Sequence, residues 1–357
     1  MTRIGSLSPP ATDPLGMRTC LCILGLVAAL MVATPTPAQM LDFEALDGWR
    51  DDNHAEALLA FLRTCDQLDA PDWQPVCAVA AAVPLDDISA RSFFELFFKP
   101  VIVGEPPALF TGYFEPELDG SPARSGRFQY PIYRRPPDLR DGLQYHSREA
   151  IEKGALAGRG LELAWLDDPV DVYFLQVQGS GRIRMTDGSV VRVGYAGANG
   201  HAYRSIGQEM VRRGTHSMDQ VSAPLIANWV RSNPSAGKEL LYTNPSYVFF
   251  RTIGTLSAKD GPIGAMGRSI TTLRSVAIDP KFTPLGAPVW IEKDGRAPIR
   301  RLMVAQDTGG AIKGMQRADI FYGTGADAGG AAGMIKDGGR MVLLLPIDRA
   351  YAMLERG

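Results

Sequence analysis

The chain has 357 residues, 45% of them hydrophobic and 21% charged, a globular composition with length for about two domains. Lys and Arg number 37 against 39 for Asp and Glu, a net charge of −2. No basic field is available to hold a nucleic acid or an anionic membrane surface, so both are excluded as partners.

The N-terminus reads as a leader. Met17-Arg18 opens a short positive region, Leu21 to Val32 is an apolar run broken only by Cys22 and Gly25, and Thr36-Pro37-Ala38 offers a small residue for cleavage. The run is short for a membrane span. Residues 1–38 are therefore expected to be removed, with Met17 a candidate start, and the rest exported to an oxidising compartment. Cys20 and Cys22 lie at the start of the apolar run rather than after it, so neither forms a lipobox, and outer-membrane association stays open. Cys65 and Cys77 remain as an even pair in an exported chain, which predicts a disulfide across Pro71, Trp73 and Pro75.

Helical spacing at Ala55, Leu58, Leu59 and Leu62 predicts a first helix, and Ser92 to Phe98 a second. Ala108 to Leu118 reads as strand, 121–140 as loop and edge strand, and Ser147 to Ala157 as a short helix. Val170 to Gln178 reads as a strand, turned by Gly179-Ser180-Gly181 into Arg182–Met185 and by Asp187-Gly188 into Val190–Val193. Helices follow over Ala202–Arg213 and about Ser217–Arg231, where Pro224 blurs the start, and Leu240–Arg251 is extended. Five further strands are expected at Ser275–Ile278, Val289–Ile291, Leu302–Ala305, Ile320–Tyr322 and Met341–Leu345. So many short strands predict a mainly β chain with peripheral helices and closed barrels, since closure removes exposed edges.

The chemistry concentrates between Val304 and Gly333. Asp307 follows Met303-Val304-Ala305 and Asp319 precedes Ile320-Phe321-Tyr322, so each carboxylate sits at a short apolar strand. Partial burial and mutual repulsion keep one member of such a pair protonated near neutrality, as a general acid requires. Asp307 can equally cap the turn at Gly309-Gly310. A single Asp-Thr-Gly in the chain makes an aspartic-protease dyad available only to a dimer. Gln178-Gly-Ser-Gly181 lacks the spacing of a serine nucleophile loop. His54, His146, His201 and His216 are scattered and no phosphate-binding glycine motif occurs, so no metal and no cofactor is expected.

Phe110-Thr-Gly-Tyr-Phe-Glu-Pro116, Ala164-Trp-Leu-Asp-Asp-Pro169, Phe174-Leu-Gln-Val-Gln-Gly-Ser-Gly181, Asn244-Pro-Ser-Tyr-Val-Phe-Phe250 and Asp307-Thr-Gly-Gly-Ala-Ile-Lys-Gly314 together resemble the membrane-bound lytic murein transglycosylase A family. Ala277-Ile-Asp-Pro280, Asp307 and Asp319 resemble the associated three-aspartate domain. The resemblance covers about Phe110 to Leu345. It implies a double-psi β-barrel built from 39–113 and 244–357, an inserted smaller β-barrel over 114–243, and a glycan groove between them. It implies a peptidoglycan lytic exotransglycosylase of the periplasm. By the same resemblance Asp319 is expected to be the single acid-then-base with Asp307 its supporting partner, and the muramic acid C6 hydroxyl to be the nucleophile. Tyr113, Glu115, Gln176, Gln178, Gly179, Ser180, Asp279 and Lys313 are the expected substrate-binding residues. The expected partners are glycan strands and other cell-wall enzymes, with the chain itself a monomer.

Overall fold

The computed structural model describes residues 38–355 apart from 255 and 296, and all of the predicted leader 1–38 except its last residue lies outside them. The strands, in chain order, are β1 (Gln39–Met40), β2 (Phe98–Ile102), β3 (Leu109–Glu115), β4 (Glu117–Ser121), β5 (Tyr130–Tyr133), β6 (Glu162–Leu166), β7 (Ser180–Met185), β8 (Val190–Ala198), β9 (Val248–Ile253), β10 (Ser275–Ile278), β11 (Pro288–Lys293), β12 (Ile299–Thr308), β13 (Arg317–Thr324), β14 (Lys336–Asp337) and β15 (Gly339–Pro346). The helices are α1 (His54–Leu62), α2 (Gln74–Ala80), α3 (Asp87–Phe97), α4 (Arg148–Ala150), α5 (Pro169–Gln178), α6 (Ile206–Arg212), α7 (Ala223–Ser232), α8 (Pro234–Tyr242), α9 (Ala326–Ala332) and α10 (Ile347–Leu354).

Two mixed sheets result. One has nine strands in the order β1-β2-β15-β11-β12-β10-β13-β3-β14, the other six in the order β5-β6-β4-β7-β8-β9. The expected closed barrels are not what the pairing gives. The edges are blunted by brevity instead: β1 and β14 are two residues each and β5 carries Pro131. The six-stranded sheet does curl, because a single parallel bridge joins Arg134, just past β5, to Phe250 of β9.

Alternation along β10, β13 and β3 sends Val276, Ile278, Ala318, Ile320 and Phe110 to one face, where they join the main apolar core with α1 to α3. Phe61, Trp73, Phe93, Phe94 and Phe98 fill that core at ring separations of 5.1–6.4 Å. Truncating a ring such as Phe61, which is fully buried, costs about 3–5 kcal/mol. The Cys65–Cys77 disulfide, with Cα atoms 5.5 Å apart, staples the turn between α1 and α2 under this core. Arg274 anchors the N-terminal segment through both nitrogens to Asp52, at 2.7 and 2.9 Å.

The helices expected over Ala202–Arg213 and about Ser217–Arg231 begin only at Ile206 and Ala223, and two segments differ in type from the sequence expectations. Val170–Gln178 is helix, not strand: Asp168 caps it by accepting from the Val170 N–H at 2.8 Å, Pro169 occupies its first turn, and Gly179 ends it at φ 79°. Its apolar residues are buried on opposite sides, against the six-stranded sheet and against α7, which hides the helical period. Gly179-Ser180-Gly181 is accordingly a helix end entering β7. Pro234–Tyr242 is also helix, where the extended reading began at Leu240; Pro234 opens it and Gly237 lets it pack on α7.

Candidate active site

The site is built across four strands of the nine-stranded sheet. Ala277 of β10 is the register partner of Asp307 in β12 on one side and of Asp319 in β13 on the other. Asp319 in turn pairs with Thr111 of β3. Directly opposed residues share a face, so Asp307, Ala277, Asp319 and Thr111 form one row on the face away from the main core. Alanine leaves room between the two carboxyl groups.

Asp307 reaches that row through a β-bulge. Val276 pairs with Ala305 but Ala277 pairs with Asp307, so Gln306 is an extra residue. Without the bulge Gln306 would oppose Ala277, and Asp307 would turn into the core. Gln306 instead is buried on the helical side, accepting from the Ser275 hydroxyl and donating to the Ala60 carbonyl of α1 at 2.9 Å.

Both carboxyl groups are half-buried and pushed upward by desolvation. Asp307 is pushed up to about 6, with the Asp319 charge adding to burial and hydrogen bonds opposing it. Those bonds come from the Tyr113 hydroxyl at 3.0 Å to Oδ2, and from the backbone N–H groups of Ala265 at 3.0 Å and Thr308 at 2.9 Å to Oδ1. Asp307 thus bonds the N–H of the residue that follows it alongside its partnership with Tyr113. Burial also raises Asp319, while the Thr111 hydroxyl, donating to Oδ1 at 2.5 Å, and the Arg317 charge pull it down. Among the described residues no group bonds Oδ2 of Asp319. Asp307 therefore spends its oxygens on internal donors, whereas Asp319 keeps one oxygen free to give or take a proton. Tyr113, Ile270, Ala277, Ile312 and Phe321 form a small apolar floor beneath the pair. An open depression of about 410 Å³, lined by Gln67, Ala265, Met266, Gly267 and Leu285, adjoins the Asp307 end of the row.

Phe110-Thr-Gly-Tyr-Phe-Glu-Pro116 now has a physical account. Thr111 serves Asp319 and Tyr113 serves Asp307. Gly112 admits α9, because a Cβ there would lie 2.8 Å from the Ala332 Cα. The Phe114 N–H donates to Gln178 Oε1 at 3.0 Å. Glu115 is 1% exposed and held by Arg182 and Arg192, each at 2.9 Å, and by the Thr324 hydroxyl at 2.8 Å. The same arginines reach the carbonyl of Asp260 at 3.2 and 3.0 Å, so Glu115 ties the β3–β4 crossing to the segment that returns from β9 to β10.

The remaining sequence candidates are dispersed. Gln176 is buried on α5, accepting from Arg148 at 2.7 Å, and Arg148 stacks 4.5 Å from the Tyr173 ring centre. Gly179 ends α5, and Ser180 is buried at the start of β7. Asp279 accepts from the N–H groups of Gly314 at 3.0 Å and Lys281 at 3.2 Å, which holds it below the usual carboxylate range and fixes the loop after Asp307. Lys313 on that loop is exposed. Thr111, Ala277 and Gln306 escaped sequence reasoning; Thr111 stood inside a recognised motif, but nothing in the chain marks a bulge. Among the described residues no group of three His, Cys, Asp or Glu side chains is placed to hold a metal ion. A larger cavity of about 650 Å³ beside α6, lined by Tyr203, Arg204 and Tyr242 among others, shares no residue with the row.

Comparison with known proteins gives two family matches, the MltA specific insert domain over residues 109–251 and the 3D domain over 274–345. A membrane-bound lytic murein transglycosylase A of Escherichia coli K12 is 40% identical over 242 residues, 66% of this chain and 65% of that protein. The match thus spans slightly under two thirds of the curated relative. A membrane-bound lytic murein transglycosylase from Agrobacterium tumefaciens, solved by crystallography, is 31% identical with a TM-score of 0.80, over 89% of this chain and 100% of that one. E. coli MltA with bound chitohexaose is 32% identical with a TM-score of 0.68, over 82% and 90%.

Proposed function

This chain belongs to the membrane-bound lytic murein transglycosylase A family, and on that footing we propose that it is a peptidoglycan lytic exotransglycosylase exported to the periplasm. It cleaves the β-1,4 bond between N-acetylmuramic acid and N-acetylglucosamine and leaves 1,6-anhydromuramic acid. The observation that carries this reading is the asymmetry of the aspartate row: two raised carboxyl groups, of which, among the described residues, only Asp319 has an oxygen without a protein partner. Ordinary glycosidases divide their work between two free carboxylates. One free acid fits a reaction whose nucleophile is supplied by the substrate.

Asp319 Oδ2 gives its proton to the glycosidic oxygen, and the C1–O4 bond breaks with its electron pair passing to O4. The C6 hydroxyl oxygen then bonds to C1 and its proton passes to the Asp319 carboxylate, restoring the acid. No water enters the balance. Asp307 keeps the proton on the pair by charge repulsion and is oriented by Tyr113. The nine-stranded sheet is read as the catalytic wall of the groove and the six-stranded sheet as the wall supplied by the insert. Glycan lies between them, with Gln178 and Lys313 as rim contacts. The burial of Glu115, Gln176 and Asp279 supports positioning roles for these three instead of sugar contacts.

The test is mass spectrometry of products released from purified sacculi by the mature chain, wild type beside Asp319→Asn. Anhydro-muropeptides from wild type alone are expected, with a fall of about a thousandfold in the variant. Reducing-end products would make water the nucleophile, and binding without products from wild type would leave a cell-wall-binding module.

A further inference from the structure

Arg317 opens β13 two residues before Asp319, so both project to the same face. Its Nη2 donates to Thr111 Oγ1 at 2.8 Å, and its Nη1 donates to the carbonyls of Ala318 at 2.6 Å and Leu109 at 3.3 Å. Thr111 Oγ1 is in turn 2.5 Å from Asp319 Oδ1. A guanidinium can only donate. The threonine oxygen must therefore accept from Arg317, and its one hydroxyl hydrogen is left for Asp319.

We propose that Arg317 is a positioning residue for the acid: acting through Thr111, it locks Asp319 Oδ1 as an acceptor and confines the transferable proton to Oδ2. The inference rests on the reading of Asp319 as the general acid and adds the device that decides which oxygen carries the proton. Without the arginine the threonine hydroxyl turns freely, and the acid presents its proton on either oxygen.

The neighbours of Asp319 leave this role to Arg317. Asp307 approaches from β12, Thr111 and Tyr113 from β3, and Tyr322 from its own strand. Lys336 of β14 lies next in the cross-strand row but is exposed. Burial lowers the Arg317 guanidinium from its ordinary value, with the Asp319 charge opposing that shift, and Arg317 in turn lowers the Asp319 carboxyl.

The experiment follows the Asp319 carboxyl by NMR titration of carbon-13-labelled aspartate in wild type, Arg317→Met, Arg317→Lys and Thr111→Val, with kcat and KM for muropeptide release measured in parallel. In Arg317→Met and Thr111→Val the midpoint is expected to rise by roughly one pH unit, with Arg317→Lys nearer wild type. Each of the first two is expected to lose about tenfold in kcat at little change in KM, and their double variant to be no slower than Thr111→Val. An unmoved midpoint in folded Arg317→Met, or additive losses in kcat, overturns the relay. If Arg317→Met does not fold, Arg317→Gln, which keeps donors for the two carbonyls, is titrated with the same rise expected. A wild type that releases no anhydro product sinks the enzyme reading, while the titration still decides the relay.

Discussion

Asp307 and Asp319 lie on one face of the nine-stranded sheet with a single strand between them, both in register with Ala277. Antiparallel and parallel neighbours stand about 4.5–5.5 Å apart, so the two backbones are held at a fixed spacing whatever the loops do. That spacing, and the small residue within it, is what lets one carboxyl influence the other.

Ala277→Leu tests the gap directly. The leucine side chain projects between the carboxyl groups, onto the floor of Tyr113 and Phe321. Overpacking of this kind costs about 1–3 kcal/mol. The variant is expected to keep its far-ultraviolet dichroism and lose most muropeptide release. Full activity would show that the pair works without the gap.

Gln306→Leu removes the amide that fixes the bulge. Ser275 and the Ala60 carbonyl lose their partners, at about 1–3 kcal/mol for a buried orphan. Urea unfolding should record that loss, and activity at a temperature where the variant is folded should fall with it, because Asp307 is aimed by the bulge. A stability loss with unchanged turnover would mean that the bulge holds without its amide.

Glu115→Gln separates a positioning role from a sugar contact. The substitution leaves Arg182 and Arg192 without their buried counter-charge, and breaking a buried pair costs about 3–5 kcal/mol. The expected outcome is a lower denaturant midpoint with KM little changed in the surviving folded protein. A raised KM at unchanged stability would make Glu115 a substrate ligand.

The pH dependence of stability has a definite sign. Burial raises Asp307 from 3.8 to about 6 in the folded state, so the folded protein binds this proton more tightly than the unfolded chain. The contribution is fully present below the unfolded value and is lost as pH rises through the folded one. Asp307→Asn does not titrate. Its stability relative to wild type is therefore expected to improve between about pH 4 and about pH 7, read from paired urea midpoints. A gap independent of pH would contradict the raised carboxyl.

Much of the core fold is legible along the chain. The strands at 275–278, 289–291, 302–305, 320–322 and 341–345 fall where short apolar runs bounded by Gly and Pro predict them. Local composition suffices there because each strand is buried on both faces or nearly so. The helix at Pro169–Gln178 reads as a strand because apolar residues buried on two opposite sides blur the helical period, and the cap at Asp168 with Gly179 at the end is the better signal.

The chain by itself determined the two carboxylates, the apolar settings that desolvate them, the Cys65–Cys77 pairing and the motifs that mark the family. All of these depend on residue type and near neighbours. Only the tertiary structure decided that Asp307 and Asp319 face each other across Ala277, that Arg317 and Thr111 form a hydrogen-bonded chain to Asp319, and that Glu115 is spent on two arginines. Register and bulges are set by pairing between segments as much as two hundred residues apart, from Thr111 to Asp319. One residue of slip reverses which face a side chain takes. That choice is made by packing, and no local pattern in the chain records it.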